Sequence, residues 1–140
     1  MIFSRKRKIF GATESVIFPE FAKIKIVAKV DTGAWSGALH AEKIREKPGG
    51  ELEFEIDERK FVSRKFTKTK VRSASGHEQI RYKIPVKMII SRKKYETKIT
   101  LANRENLSFD MLIGRKFLQE NGILVDVLRK TVGKMKEKMK

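Results

Sequence analysis

Asp31 ends an alternating apolar run in Val30-Asp31-Thr32-Gly33-Ala34, and these residue types in this order suit acid–base hydrolysis. Gly33 lets the backbone turn tightly and approach a ligand, and Thr32 can anchor the turn through its hydroxyl. Two carboxylates placed close together cannot both ionise, so they share one proton. One then acts as base toward a water while the other donates to the carbonyl under attack. Such chemistry needs neither a metal nor a covalent intermediate. The tripeptide by itself arises by chance in roughly one in a few dozen chains of this length, usually as an ordinary turn. What raises it here is a second piece, Met111-Leu112-Ile113-Gly114-Arg115-Lys116-Phe117-Leu118. It reads as an apolar strand running through Gly114 into a short helix. Gly114 is then a packing glycine where two strands cross closely, and Arg115 a structural or interface ion-pair residue.

Other chemistries find little material. A catalytic zinc needs about three protein ligands and a water, whereas this chain has two histidines, no cysteine and no His-Glu-x-x-His helix. There is no Gly-rich loop ending in Gly-Lys-Ser/Thr to cradle a nucleoside triphosphate. The expectation is therefore no metal and no cofactor, with His40 and His77 as structural histidines. Trp35, just after the motif, either lines a cleft or covers the end of the barrel.

The elements that must position Asp31 are strands. Ile24, Ile26, Ala28 and Val30 fall on one face with period two, the signature of a half-buried strand, and Asp31-Thr32-Gly33 ends it. Further strand-like segments lie at residues 11–18 (stopped by Pro19), 38–44, 52–56, 60–62, 67–72, 79–90, 95–101 and 123–128. Pro48-Gly49-Gly50 and Ser73-Ala74-Ser75-Gly76-His77 are the turn signals between them. Residues 115–121 alone look helical, with Gly122 closing the helix. Eight or so short strands and one short helix predict an all-β barrel or sandwich. No repeat or Pro/Gly/Ser-rich linker divides the chain, so one domain is expected, with the tail after Val132 a frayed helix or disordered.

At 140 residues, 40% of them hydrophobic and 36% charged, the chain has room for a sizeable core beneath a charged surface. No apolar run approaches the ~18 residues needed to cross a membrane. The start, Met1-Ile2-Phe3-Ser4-Arg5-Lys6-Arg7-Lys8, lacks the apolar stretch of a signal peptide. Without cysteine there is no disulfide framework. A cytoplasmic protein without membrane association is the expectation. Lys and Arg number 33 against 17 Asp and Glu, a formal net charge of +16. A field of that sign attracts acidic peptides, nucleic acid or ribosomal surfaces. The basic blocks at residues 4–8, 91–94 and 133–140 can equally be solvated ends and loop tips.

The two pieces together resemble the retropepsin family of aspartic peptidases, in which an Asp-Thr-Gly-Ala loop is crossed by a later Ile-Gly-Arg strand. The likeness extends through Gly11-Ala12-Thr13-Glu14-Ser15-Val16, Ala38-Leu39-His40-Ala41, Val71-Arg72-Ser73-Ala74-Ser75-Gly76-His77-Glu78 and Leu112-Ile113-Gly114-Arg115. These are similar to one group, the RimB-like retropepsins, catalogued under the label "ATP-dependent zinc protease" and associated with ATP-grasp peptide ligases that add glutamates to a ribosomal protein. The resemblance covers roughly residues 10–128 and leaves the basic ends outside. The residues support neither half of that old label. What the resemblance implies is a closed retropepsin-like barrel with one short C-terminal helix. Asp31 is then catalytic, and Thr32, Gly33, Ala34 and Gly114 support its loop. The interval to Gly114 makes Ser73, Ala74, Ser75, Gly76 and His77 the candidate substrate-covering flap, with Trp35 beside the cleft and Pro48-Gly49-Gly50 the rival flap.

Neither Asp110, followed by Met111, nor Asp126, followed by Val127, repeats the motif. One motif per chain implies a twofold homodimer with an Asp31 from each subunit. The leading expectation is an endopeptidase acting on a peptide or protein substrate, with acidic or glutamate-rich peptides favoured by the charge. The alternative is a non-catalytic basic β-barrel that binds RNA or the ribosome through Lys and Arg on phosphates. Phe3, Phe10, Phe54, Phe61, Phe66, Tyr82 and Tyr95 sit mostly at strand spacing, so core packing explains them better than base stacking.

Overall fold

The computed structural model of the chain describes residues 7–130 apart from Ser73 and Ala74. The expected tail and most of the N-terminal basic run thus lie outside the described residues. The strands are β1 (Lys8–Phe10), β2 (Thr13–Phe18), β3 (Ile24–Val30), β4 (Ala38–His40), β5 (Glu42–Glu46) and β6 (Leu52–Ile56). They continue with β7 (Arg59–Ser63), β8 (Thr67–Arg72), β9 (Glu78–Ile90), β10 (Lys93–Ala102), β11 (Met111–Ile113) and β12 (Ile123–Val125), with helix α1 (Arg115–Glu120) before the last. Strands outnumber the sequence expectation because the three residues of β1 are too few to show a period and the segment read as one at 38–44 is two strands, β4 and β5.

Six strands close a barrel in the order β10-β4-β11-β3-β2-β9, with β9 pairing back onto β10. This is the all-β closed barrel with one short helix that the sequence led us to expect. Period two places the core: Ile84, Val86, Met88 and Ile90 of β9 are buried, as are Ile24, Ala28 and Val30 of β3. Each Val, Ile or Met side chain among them contributes about 1.5–3 kcal/mol when taken from water, before chain entropy is set against it. The strand β8 extends from β9 outside the ring, and β5-β6-β7 form a separate sheet. Aromatic rings seal that sheet to the barrel, with Phe21 packed edge-on to Phe54 at 5.7 Å and against Phe61 at 5.2 Å.

Two hairpins turn through non-glycine pairs, Asp57-Glu58 and Ser91-Arg92, all four residues at positive φ. That geometry matches the right-handed twist of the flanking strands, but neither pair carries the Asn-Gly signal that reveals it in sequence. The last strand ends sooner than its apolar run suggested. Asp126 Oδ1 accepts the N–H of Leu128 at 3.0 Å, and the resulting turn carries Arg129 back to Ala12, whose N–H donates to the Arg129 carbonyl at 2.6 Å. Gly11 permits this approach, since a Cβ there would lie 2.5 Å from the Arg129 oxygen. Among the described residues no helix is long and apolar enough to cross a membrane.

Candidate active site

The strand β11 lies between β3 and β4, parallel to the first and antiparallel to the second. The connection from β3 to β4, which contains Asp31, must therefore arch over the end of β11. Backbone hydrogen bonds seat that arch. The N–H of Asp31 donates to Ile113 O at 2.9 Å, Arg115 N–H to Ala34 O at 2.7 Å, and Lys116 N–H to Trp35 O at 3.0 Å. Gly114 is the point of closest passage, where an added Cβ would stand 2.6 Å from Trp35 O and 2.7 Å from the Ser36 carbonyl carbon. Only a residue without a side chain fits between two backbones at that separation.

Within the arch, the half-buried Asp31 accepts the Gly33 N–H on Oδ1 at 2.9 Å. Its own carbonyl accepts the Ala34 N–H at 3.2 Å, closing a tight turn that fixes the carboxylate at the strand tip. Thr32 contributes through its carbonyl, which accepts from Arg115 Nη1 at 3.1 Å. The Arg115 guanidinium also lies 5.4 Å from the centre of the Trp35 ring. Arg115 is thus structural, as its place at the helix start suggested, but by a hydrogen bond and a cation–π contact. Trp35 is half exposed, beneath that guanidinium.

The β8–β9 hairpin runs in register from Thr67↔Lys83 to Arg72↔Glu78. Ser75, Gly76 and His77 stand exposed at its end, with Gly76 at φ +84°; Ser73 and Ala74 fall outside the described residues. Its stem is tied to β5, where the Glu46 carboxylate accepts from Lys68 Nζ and from the Tyr82 hydroxyl, both at 2.9 Å. The Lys68 hydrogen bond, followed by that of Tyr82, holds the Glu46 carboxyl below its ordinary range, and the same carboxylate raises Lys68. The rival turn, Pro48-Gly49-Gly50, belongs to the β5–β6 hairpin of the separate sheet.

A cleft of about 710 Å³ opens beside the arch, walled by Ser36 and Gly37 after Asp31, by Ile80, Arg81 and Tyr82 of the hairpin stem, and by Arg104 and Leu107. Arg81 and Arg104 are its charged lining residues, and no carboxylate joins them. Neither carries a mark in the sequence, since neither sits in a motif and Arg104 follows the end of β10. Arg104 is half-buried and anchored twice: its N–H donates to His40 Nδ1 at 2.7 Å and its Nε to Phe109 O at 3.1 Å. Burial lowers the proton affinity of its guanidinium, against the fields of the Asp110 and Asp31 carboxylates, which raise it. His40 has Nε2 3.3 Å from Glu42 Oε1, so both of its ring nitrogens have partners. No group of three or more His, Cys, Asp or Glu gathers with metal-binding geometry among the described residues.

A second hollow, of about 420 Å³, lies along residues 24–27 of β3 and carries the carboxylates of Glu42, Glu55, Asp57, Glu58, Glu105 and Asp110.

Comparison with known proteins agrees with this architecture. The family model described as "Retropepsin-like aspartic endopeptidase RimB" matches residues 9–136. A protein of Desulfotalea psychrophila named "Probable alpha-L-glutamate ligase" is 30% identical over 92% of this chain, and one of that name from Shewanella pealeana is 32% identical over 88%. The chain spans about 30% of the length of these curated relatives. A crystal structure of a Legionella pneumophila protein of unknown function superposes with a TM-score of 0.59 at 21% identity, covering 89% of this chain and 96% of that one. At that identity the likeness speaks for the fold alone.

Proposed function

The chain belongs to the RimB-like family of retropepsin-like aspartic endopeptidases, and from that premise we propose that it hydrolyses peptide bonds with a water activated between two Asp31 carboxylates. The observation that carries this reading is the seat of Asp31. A carboxylate at a strand tip that accepts the Gly33 N–H, on a residue whose backbone N–H donates to Ile113 O across the arch, is pre-organised for acid–base work. One Asp31 takes a proton from the water as its oxygen bonds to the scissile carbon. The other, protonated, donates to the carbonyl oxygen, and collapse of the tetrahedral species breaks the C–N bond as the amine takes up a proton.

The second Asp31 comes from a second copy of the chain. Ile9, Leu124, Val127 and Leu128 are exposed along β1, β12 and the turn that follows, an apolar strip suited to burial in a twofold contact. The substrate class is an acidic, glutamate-rich peptide. Arginine is the charged residue of the cleft wall, and the relatives' name concerns glutamate, though it describes proteins of which this chain matches less than a third. The reading for this chain is hydrolysis, and the ligase in the relatives' name is not carried over to it.

The test is cleavage of a peptide library containing glutamate-rich members by the wild type and by Asp31→Asn, with chelator present and absent. Cleavage lost in the variant and indifferent to chelator supports the aspartic mechanism. Cleavage that survives Asp31→Asn overturns it, and salt-sensitive RNA binding without any cleavage favours a basic binding module instead. Sedimentation, run alongside, must find a dimer at the concentrations where activity appears.

A further inference from the structure

We propose that Arg104 selects the substrate by binding a carboxylate side chain next to the scissile bond. The inference rests on the peptidase reading for its substrate, and it is tested by a readout that does not need cleavage.

A surface arginine on a flexible stem would give little selectivity, because ordering it costs most of what its pairing returns. Arg104 is not in that position. Its backbone N–H is fixed on His40 and its Nε on Phe109 O, so the plane of the guanidinium is set before any ligand arrives. A planar fork held in one orientation recognises a carboxylate through two parallel N–H bonds, which a point charge cannot do. Its location is as specific as its orientation. It lines the cleft beside the segment that follows Asp31, and the field of Asp31 reaches it. A peptide lying across the Asp31 pair would bring a neighbouring side chain against it.

Asp110 is the other carboxylate in its field, and a structural pairing with Asp110 is the competing role. The two roles are compatible, since a guanidinium carries five N–H donors, but they predict different measurements. The rest of the wall supports recognition. Ile80 and Leu107 leave 48% and 47% of their surfaces open in the free chain. A bound peptide would cover them, removing water from around Arg104 and strengthening its pairing. Arg81, on the hairpin stem, adds positive charge to the lining of the same cleft.

The experiment measures binding of fluorescein-labelled hexaglutamate and hexaglutamine to Asp31→Asn protein, which holds peptide without cutting it, in physiological salt. Arg104→Met, Arg104→Lys and Lys94→Gln are each added to that background, the last as a control for losing one exposed cation. Thermal melting checks that each variant is folded. The expected result is hexaglutamate bound about 10- to 100-fold tighter than hexaglutamine, as for hydrogen bonds to a charged group. Arg104→Met should bring that ratio down to the about two- to fivefold that Arg81 supplies, Arg104→Lys should lower it to a lesser extent, and Lys94→Gln should leave it in place. If Arg104→Met unfolds, Arg104→Lys carries the test. A ratio unchanged in both Arg104 variants, affinities for both peptides falling together, or no preference for glutamate at the outset overturns the assignment. Cleavage by the wild type is scored separately. An Arg104-dependent ratio without cleavage sinks the peptidase reading and leaves Arg104 as a carboxylate-binding residue only, while cleavage with an Arg104-independent ratio keeps the peptidase reading and overturns the role of Arg104.

Discussion

The cleft beside Asp31 has Arg81 and Arg104 on its walls and no carboxylate, whereas the hollow along β3 gathers six of the chain's 17 acidic residues. A net charge of +16 therefore does not describe either place. In the hollow, three of the six carboxylates have a nitrogen of their own chain close by, His40–Glu42 at 3.3 Å, Lys43–Glu55 at 3.7 Å and Arg59–Asp57 at 3.9 Å. The cleft carries Arg81 and Arg104 on its wall, with Arg104 in the fields of Asp110 and Asp31. The floors differ as well. The arch over β11 is fixed by backbone bonds and a glycine that tolerates no side chain, while the hollow borders a hairpin turn at Asp57-Glu58 that is exposed. The contrast is between a region whose backbone is fixed at a crossing and lined by basic side chains and one lined by acidic side chains beside an exposed turn.

The sharpest way to break that comparison is to neutralise each region in turn. Asp31→Asn should cut peptide cleavage by about 10²- to 10⁴-fold or more, the scale of a lost acid–base group. Asp57→Asn with Glu58→Gln, at the hollow, should leave it within about twofold, as for exposed charges elsewhere. Equal losses in a steady-state assay would erase the distinction. Next in size is the backbone. Gly114→Ala forces a Cβ into the crossing and should cost about 1–3 kcal/mol in urea unfolding along with most of the activity. Gly49→Ala in the β5–β6 turn, where nothing lies within 4 Å, should stay within about 0.5 kcal/mol.

Smaller effects sharpen the picture. Arg81→Gln should weaken hexaglutamate binding about two- to fivefold, because Arg81 is exposed and screened. Raising salt should shrink that difference in the same anisotropy titration. The smallest concerns the hairpin stem. The Glu46 carboxyl is depressed in the folded chain, so its clamp is fully present above the ordinary carboxylate range and is lost as pH falls through the lowered folded value. Lys68 is raised, so its share is present below the usual lysine range and is lost only as pH rises beyond it. Amide exchange corrected for intrinsic rates should therefore show the stem of β8 and β9 loosening on acidification, and Glu46→Gln should remove that dependence.

Much of the arch was legible because its signals are local. Alternation at Ile24, Ile26, Ala28 and Val30 gave β3 and its buried face, Asp31-Thr32-Gly33 gave the turn, and Gly114 before an apolar helical segment gave the crossing. Other parts were not legible for reasons that can be stated. The apolar run at residues 123–128 concealed a turn, because the stop comes from Asp126 Oδ1 accepting the Leu128 N–H, a contact with no compositional mark. The hairpins at Asp57-Glu58 and Ser91-Arg92 turn through residues that are costly at positive φ, so their sequences look like charged loops.

By itself the sequence determined which residues point inward, where the carboxylate sits at a strand tip, and that a glycine must lie under it. Those properties follow from period two and from steric exclusion at single positions. Only the tertiary structure decided which strands are neighbours, that Glu46 holds Lys68 and Tyr82, and that Arg104 stands on the wall of the cleft while the acids stand elsewhere. Periodicity states which face of a strand is buried and says nothing about its partner across the sheet. Contacts between residues dozens of positions apart arise only once the barrel has closed.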